Sequence, residues 1–297
     1  MKKYIFLLIA ALIACTVAIA QPDDGSKRPK KPTPVNPKPK PKPKPEPKPK
    51  SKPKSKPTPK VSSSYTDDGI MFSIGNVRFK MVRVEGGTFT MGATADQGFY
   101  VNDDEKPTHQ VTLSSYSIGK TEVTQALWQA VMGSNPSYFK GSNLPVECVS
   151  WEDCKTFIRK LNALTGKNFR LPTEAEWEFA ARGGNNSRGY EYSGSNTLSN
   201  VAWYTDNSSS TTHPVATKAS NELGIYDMSG NVQEWCSDWY GSYSSSSQYN
   251  PTGPNSGSVR VYRGGSWFGD AWLCSVSNRS HSTSFYCYNV LGLRLAL

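Results

Sequence analysis

The sequence predicts an α+β domain with little regular structure, preceded by a non-globular N-terminal segment. Three observations carry this prediction: short helix patterns with clear capping residues, a few short strand patterns, and long stretches of Ser, Asn, Thr and Gly. The stretches 185–220 and 242–257 are of the last kind, and that composition is typical of loops. About 225 residues follow the N-terminal segment, which is enough for one sizeable core.

Three helices are predicted, over 124–133, 150–166 and 173–183. Each pattern starts at a Ser or Thr that can cap the first turn, and each stops at a glycine. In the second helix Asp153 completes a capping box. Its apolar residues recur at helical spacing and include Cys154, which we therefore expect in the core rather than as a reactive thiol.

The strand signals are weaker. Alternation from Met81 to Met91 around two glycines predicts a hairpin, and 111–113 predicts another strand. The acidic run 103–105 is interpreted as a solvated loop. Three glutamates of the third helix are interpreted as cap and solvent-facing residues rather than catalytic acids. They are Glu174, Glu176 and Glu178.

The N-terminus has the features of a secretory signal, with two lysines followed by an apolar run from Tyr4 to Ala20. We predict a signal peptide over 1–20, cleaved after Ala20, because the apolar run continues past Cys15. A lipobox ending at Cys15 is the alternative, and an uncleaved anchor is a third. Each alternative exports the remaining chain, to the periplasm, to the cell surface as a lipoprotein, or into the medium.

Residues 21–60 hold fourteen Pro and fourteen Lys or Arg against three acids. Such a segment favours polyproline II and could reach roughly 120 Å. We interpret it as a stalk that can also contact anionic cell-envelope surfaces. Because the chain as a whole carries +10 and most positive charge lies in the stalk, residues 61–297 carry −3. This balance argues against nucleic-acid binding by the domain. A linker is expected at 61–73 and the folded domain at 74–297.

Four ordered blocks give the domain its identity. The most specific is Gly-Ile-Tyr-Asp-Met-Ser-Gly-Asn-Val-Gln-Glu-Trp at 224–235. The others lie at 81–92, 170–184 and 263–267, the last reading Arg-Gly-Gly-Ser-Trp. Together they resemble the formylglycine-generating enzyme family, also called sulfatase-modifying factors. The resemblance covers roughly residues 74–297 and implies an irregular, loop-rich α+β fold related to C-type lectins.

Enzymes of that family oxidise a sulfatase cysteine with oxygen and copper held by two cysteine thiolates. The resemblance therefore implies a paired-sulfur site, since soft thiolates suit Cu(I). Aligned on the Arg-Gly-Gly-Ser-Trp block, the first active cysteine falls at Gly269 and the second at Cys274, while Ser266 matches the active-site serine. Glycine has no ligand atom, so we expect copper binding and oxidase chemistry to be absent.

The resemblance also implies structural calcium, held around the Ser229-Gly230-Asn231 turn. Hard cations prefer oxygen ligands from carboxylates and carbonyls. The matching positions are Asp227, Gly230, Val232 and Glu234. A second family site matches only at Asn200 and Val201. From the residues alone, a surface turn between two strands with solvated acids is the favoured interpretation, because the spacing is not that of an EF-hand. No Cys-x-x-Cys occurs and the three His are widely spaced, so zinc is not expected.

Six cysteines are present, and five remain if Cys15 is removed with the signal. The family's structural disulfides are not reproduced, because the matching positions are Ile158 and Ala181. Cys236 and Cys274 are expected near each other, either as a disulfide or as two buried thiols.

The segment 268–290 mixes aromatic residues with Ser, Thr and Asn, a composition typical of adaptable recognition surfaces. In the family it lies on the peptide-binding face. The candidate ligand-binding residues are Phe268, Trp272, His281, Phe285, Tyr286 and Tyr288. Ordinary loop and core packing is the alternative for any one of them.

We therefore expect a binding module for a peptide, glycan or surface protein. One alternative is a formylglycine-generating oxidase with a displaced pair, Cys274 with Cys287 or Cys236. Another is a variable binding protein diversified by a retroelement through the run 284–290. The last is a scaffold in an envelope assembly.

Overall fold

The computed structural model describes residues 59–98 and 100–297. The predicted signal peptide at 1–20 lies outside the described residues, as does the stalk predicted at 21–60 apart from its last two residues. Within the described ranges, no helix has the length and apolar character needed to cross a membrane. Export and contact with the envelope therefore stay predictions.

Three small sheets make up the strand framework of the described part. The first contains β1 (Val61–Thr66), β2 (Gly69–Ile74), β3 (Val77–Val84) and, after two strands of another sheet, β6 (Tyr116–Gly119). It is antiparallel, in the order β1-β2-β3-β6. The second contains β4 (Gly87–Met91), β5 (His109–Leu113) and β8 (Gln248–Tyr249). The third contains β7 (Gln233–Trp239), β9 (Arg260–Arg263), β10 (Arg279–Ser282) and β11 (Leu291–Gly292), in the order β10-β9-β7-β11.

Residues 61–73 were expected to be a linker, and the structure corrects this. They form β1 and most of β2, and β2 is hydrogen-bonded to neighbours on both sides. Alternate residues of β2 enter the core, where Phe72 and Ile74 are fully buried. β1 is an edge strand whose residues are almost all exposed, so its polar composition resembles that of a linker.

The hairpin expected between Met81 and Met91 is wrong. β3 pairs with β2 and β6, whereas β4 pairs with β5, so the chain leaves one sheet and enters another at the two glycines. A Cβ on Gly86 would lie 2.5 Å from the carbonyl oxygen of Leu113. Only glycine allows that approach, and the glycine pair therefore marks a crossing between sheets. The strand predicted at 111–113 is confirmed as part of β5.

The three predicted helices are confirmed, as α1 (Gln125–Met132), α2 (Trp151–Thr165) and α3 (Glu174–Ala181). The side chain of the predicted cap accepts a backbone N–H in each, and the capping boxes of α2 and α3 are complete. Cys154 is fully buried on the core face of α2, as its spacing predicts. A further short helix, α4, spans Leu198–Val201.

The solvent-facing role expected for the α3 glutamates is wrong, because every residue of α3 is buried. Glu178 forms ion pairs with Arg263 and Arg182 and accepts the Gly92 N–H at 2.9 Å. Glu174 and Glu176 each accept two hydrogen bonds from a single arginine. Those contacts are Arg279 on Glu174, both at 2.7 Å, and Arg170 on Glu176, both at 2.6 Å. Glu105, expected in a solvated loop, is likewise buried and accepts from Ser277 Oγ at 2.6 Å.

Replacing Glu178 tests this charge network. Glu178→Ala removes the closer of the two ion-pair partners of the fully buried Arg263 guanidinium and leaves only Glu174 at 3.8 Å, and we expect it to lower the free energy of unfolding by about 3–5 kcal/mol. Urea denaturation measures the change. Glu85→Ala is the matched control, because it breaks an ion pair with Arg83 in which both side chains are more than half exposed. Its unfolding midpoint should not move, and equal losses in the two variants would contradict a special role for the buried network.

Asp238 provides a pH test of the same region. Burial raises the pKa of Asp238 to about 7, reinforced by the charge of Glu174 and opposed by hydrogen bonds from Ser237 Oγ and the Glu174 N–H. The folded state thus holds this proton more tightly than the unfolded chain, whose Asp titrates near pH 4. The Asp238 contribution to the free energy of unfolding must fall as pH rises from about 4 to about 7, and stay level above that.

Asp238→Asn keeps the accepting oxygen and removes the charge. We expect the variant to match the wild type below about pH 4 and to be more stable at pH 8 by on the order of 1–3 kcal/mol. Urea denaturation at several pH values provides the measurement. Two stability curves that run parallel from pH 4 to pH 8 would show that the carboxyl is ionised throughout.

Candidate functional site

The main chain after β9 passes directly over the thiol of Cys274. Gly264 and Gly265 both have positive φ, and a Cβ on Gly265 would lie only 2.6 Å from Cys274 Sγ. Cys274 is fully buried at the end of a short 3-10 helix over Ala271–Cys274. The glycine therefore lets the backbone close over the sulfur.

This environment keeps the Cys274 thiol protonated. Burial raises the pKa of Cys274 to about 12, although the backbone N–H groups of Ser266 and Gly230 act in the opposite direction. The thiolate is the form that attacks electrophiles and binds metals, so burial and the raised pKa both disfavour these reactions at Cys274. Ser266, which matches the family's serine, is also buried, and its hydroxyl accepts from the Phe268 N–H at 3.4 Å.

Gly269 stands where the family has its other cysteine. It lies in a tight turn in which its N–H donates to the Ser266 carbonyl at 2.9 Å and its carbonyl accepts from the Thr205 N–H at 3.1 Å. No side-chain ligand is available there. A copper site built from two thiolates does not fit this geometry, since one sulfur is missing and Cys274 is covered.

Cys236 and Cys274 do not form the disulfide that was one of two expectations. Both are free thiols and they belong to different hydrophobic clusters. Cys236 lies on β7 in the cluster around α3. Cys274 packs with Tyr192 and with the residues of α4 and its neighbour, Leu198, Val201 and Ala202. The second expectation, two buried thiols, describes them.

The loop expected to hold calcium contains a carboxylate that is already saturated. Glu234 accepts hydrogen bonds from Arg294 at 2.7, 2.9 and 3.1 Å and from Trp177 Nε1 at 2.7 Å. Two contacts fall on each oxygen, which fills the lone pairs of an ionised carboxylate. The guanidinium therefore stands where a cation would have to approach, and the Glu234 side chain does not fit as a calcium ligand in this arrangement.

Two further acids lie beside this pair. Burial raises the pKa of Asp227 to about 6, and Asp227 Oδ2 accepts from the Ala216 N–H at 2.7 Å. Glu122, which the sequence analysis did not select, accepts from Asn231 Nδ2 at 3.0 Å and from the Val232 N–H at 3.2 Å. In the described ranges no group of three His, Cys, Asp or Glu is placed to hold a metal ion. Calcium at Asp227, Gly230, Val232 and Glu234 stays a prediction, and this geometry does not support it.

The second expected calcium site is occupied by protein groups. The Asn200 carbonyl accepts from the Ala219 N–H at 3.0 Å. Lys218 Nζ donates to the neighbouring Ser199 carbonyl at 2.7 Å and lies 4.0 Å from the centre of the Trp203 ring. An ammonium group thus lies beside Asn200 and Val201, where it repels a second cation.

A group of six aromatic residues, four of them exposed and Trp267 buried, lies next to the covered Cys274 site. We call it the aromatic face and define it by Tyr138, Phe139, Trp267, Phe268, Tyr286 and Tyr288. Ring contacts connect the first four in series, with centroids 5.0, 5.3 and 5.4 Å apart. The last two stack on each other at 6.5 Å. Tyr138, Phe268 and Tyr288 are 69%, 67% and 54% exposed, far more than packing requires.

The backbone of residues 283–290 is fixed by its own carbonyl groups. Four of them accept hydrogen bonds from the body of the domain, between 2.7 and 3.3 Å. The donors are the backbone N–H groups of Glu152, Cys148 and Gln233 and the indole of Trp267. Side chains at Phe285, Tyr286 and Tyr288 are therefore not needed to hold the loop, and they project into solvent.

The six candidate ligand-binding residues predicted from the sequence do not form one continuous surface. Phe268, Tyr286 and Tyr288 belong to the aromatic face, and Phe285 is 78% exposed on the same loop. His281 lies on β10 and contacts the Tyr240 ring at 4.0 Å, while Trp272 is half buried in the 3-10 helix. Tyr138 and Phe139 were missed. Their only sequence signal is two adjacent aromatics in a Gly-Ser-Asn-Pro-rich loop, and nothing local brings that loop to residue 267.

The larger cavities lie elsewhere. One of about 720 Å³ adjoins α2 and the C-terminal Leu297, and another of about 510 Å³ adjoins the 241–254 loop. Neither is lined by Cys274, by Ser266 or by the aromatic face. The position that aligns with the family's active site is thus the covered Cys274 thiol, and the aromatic face lies next to it.

Comparisons with known proteins agree with the fold. The family model for the sulfatase-modifying factor enzyme 1-like domain matches residues 76–297. The chaperone protein LppX of Paenibacillus barcinonensis is 35% identical, over 66% of this chain and 81% of LppX. The formylglycine-generating enzyme of Streptomyces coelicolor is 30% identical, over 72% of this chain and 88% of that enzyme.

Among solved structures, Treponema denticola variable protein 1 aligns with a TM-score of 0.68 and 37% identity. The alignment covers 76% of this chain and 97% of the Treponema protein. The irregular, loop-rich α+β fold expected from the sequence is confirmed by these matches. The chain belongs to the sulfatase-modifying factor enzyme 1-like family, whose fold it shares with formylglycine-generating enzymes.

Proposed function

We propose that this chain is an exported recognition domain that binds a peptide, glycan or surface protein through its aromatic face. The observation that carries the proposal is the construction of loop 283–290. Its backbone is held by carbonyl groups, and its aromatic side chains are left exposed. Exposed aromatic rings on a fixed backbone provide contact area at low entropic cost, which is the usual physical basis of an adaptable binding surface.

The charge distribution favours a neutral or polar ligand. Residues 61–297 carry only −3, so no strong net charge on the domain selects a charged ligand. Exposed aromatic rings stack on sugar rings or on the side chains of a peptide, and the tyrosine hydroxyls add hydrogen bonds. In this proposal the basic segment 21–60 is a spacer between the cell envelope and the exported domain.

Diversification of this surface is the alternative that a specific observation favours. Because the loop is anchored through its backbone, side chains over 284–290 can change without loss of the anchoring hydrogen bonds. The similarity to a Treponema protein named as variable supports the same possibility. A near-copy of the segment's coding sequence beside a reverse-transcriptase gene would support it, and an isolated gene would count against it. A passive scaffold in an envelope assembly predicts capture of envelope proteins that is insensitive to the aromatic face.

Substitutions on the aromatic face test the proposal. The exported chain is screened against glycan and peptide arrays, and a ligand found there is titrated against Phe268→Ala and Tyr288→Ala. Each variant should weaken binding at least about tenfold with an unchanged melting temperature, because each removes exposed ring area and no core contact. Tyr65→Ala is the control, since Tyr65 is 81% exposed on the edge strand β1. Full affinity in both face variants would reject this surface as the binding site.

The oxidase alternative makes a different prediction about copper. In a Cu(I) competition titration of the reduced protein, Cys274→Ser should leave the binding curve unchanged, because the wild-type thiol is buried and has no partner. Because the main chain at Gly265 covers the Cys274 sulfur, no tightly held Cu(I) should be gained in Gly269→Cys either. A Cβ there would lie 3.3 Å from the Ser266 nitrogen, so a small local shift accommodates it. Tight wild-type binding that Cys274→Ser abolishes would instead support an oxidase.

A further inference from the structure

Two cysteines lie together at the edge of the aromatic face. The Cys148 N–H donates to the carbonyl of Tyr288, the residue after Cys287, at 3.1 Å. The Cys287 sulfur is also close enough to act electrostatically on the Cys148 thiol. A disulfide requires Cα atoms within about 7 Å of each other, and this hydrogen bond holds the residue next to Cys287 directly against Cys148.

Exposure separates this pair from the other cysteines. Of the five in the described ranges, Cys154, Cys236 and Cys274 are fully buried. Cys148 is partly exposed and Cys287 is exposed on the surface loop. An oxidant in solvent can therefore reach these two thiols and not the other three.

Cys148 has an unusual backbone conformation and a buried acid beside it. Cys148 has a φ of 59°, a left-handed conformation that is uncommon for residues other than Gly and Asn. The adjacent Glu147 is fully buried, and its Oε1 accepts from the Phe139 N–H at 2.8 Å. Glu147 Oε2 has no N–H or O–H partner among the described residues, and the Cys148 thiol is the polar group beside it. A buried carboxylate oxygen without such a partner is rare and points to a role.

We propose that Cys148 and Cys287 form a reversible disulfide that fastens the loop 283–290 to the segment 137–148. The oxidant is a disulfide, either a small molecule or the active-site disulfide of an oxidoreductase. The Cys287 thiolate attacks one sulfur of that disulfide, forms a mixed disulfide and releases the first thiolate. Cys148 then gives its proton to Glu147 and attacks the Cys287 sulfur, which releases the second.

The step is balanced in atoms and electrons. The two cysteines lose two electrons and two protons, and the oxidant's disulfide becomes two thiols. The order follows from accessibility and acidity. Burial, reinforced by Glu147, raises the pKa of Cys148 to about 12, so Cys148 acts second and needs the adjacent base.

Such a bond would change the aromatic face. It joins the segment that carries Tyr138 to the loop that carries Tyr288, and these two tyrosines are 150 residues apart in the chain. The loop it closes is long, so the bond should stabilise the folded state appreciably. Any effect on ligand affinity rests on the proposed function, whereas formation of the bond does not.

The decisive experiment is mass spectrometry of the full chain after equilibration with reduced and oxidised glutathione and alkylation of free thiols. We expect an oxidised form in which the peptide containing Cys148 is joined to the peptide containing Cys287. Fragmentation is needed because Cys148 and Cys154 share the tryptic peptide 141–155. Cys148→Ser and Cys287→Ser should abolish the crosslink, and Cys154→Ala, the matched control, should keep it.

Two further readouts separate a built site from chance proximity. Oxidation should raise the melting temperature of the wild type by several degrees, about 5 °C, and leave that of Cys287→Ser unchanged. Glu147→Gln should slow ring closure, so that the mixed disulfide on Cys287 accumulates, while the final crosslink still forms. Complete alkylation of both thiols at every glutathione ratio would overturn the proposal. So would a mixed disulfide on Cys287 that never closes in the wild type. Neither result would affect the array binding expected of the aromatic face.

Discussion

The buried pairing of arginine with glutamate is the constraint on which the rest of the domain depends. Glu174 and Glu178 of α3 are held by Arg279 and Arg263, which come from two neighbouring strands about 85 to 105 residues later. The charges are almost fully desolvated, so each pair is tolerable only with additional hydrogen bonds, such as those that Arg263 donates to the carbonyls of Val276, Ser277 and Asn278. That condition fixes β9 and β10 on α3 in one arrangement.

A second pair has the same role at the end of the chain. Arg294 contacts Glu234 and also donates to the carbonyls of Gly119 and Tyr226 at 2.8 Å. One guanidinium thereby connects β7, β6 and the loop that contains Tyr226. Because the desolvation penalty makes a partly formed network costly, this polar core is rigid, and the loops between its anchor points can diverge in sequence without changing the frame.

The features that were predicted correctly from the sequence are those that depend on contacts between neighbouring residues. The helix caps at Thr124, Ser150 and Thr173 were predicted correctly because a cap depends on contacts only three residues away. The burial of Glu174 and Glu178 could not be predicted, because their partners are distant in sequence and a glutamate near a helix start is normally solvated. Strand β1 was missed for the opposite reason, since an exposed edge strand needs no apolar residues.

For the candidate site, too, the sequence predicted residue positions but not the contacts made by distant residues. The positions of Gly269 and Cys274 came from the spacing after the Arg-Gly-Gly-Ser-Trp block, but the covering of Cys274 by Gly265 became visible only in three dimensions. Likewise, Glu234 matches a calcium position in sequence, and only the structure shows that Arg294 fills its lone pairs. A motif gives the residue type, whereas its chemistry depends on which groups from elsewhere occupy its donors and acceptors.

The exposure of its cysteine thiols decides where this domain can react with molecules in solvent. Cys274, which the motif spacing aligns with an active-site cysteine of the family, is sealed in the core, while Cys148 is partly exposed and Cys287 exposed beside the rings proposed to bind ligand. Gly269 adds no sulfur next to Cys274, and the main chain at Gly265 covers that thiol. The buried ion pairs hold the frame, and the aromatic side chains of loop 283–290 stay exposed on it, which is the feature on which the proposed recognition depends.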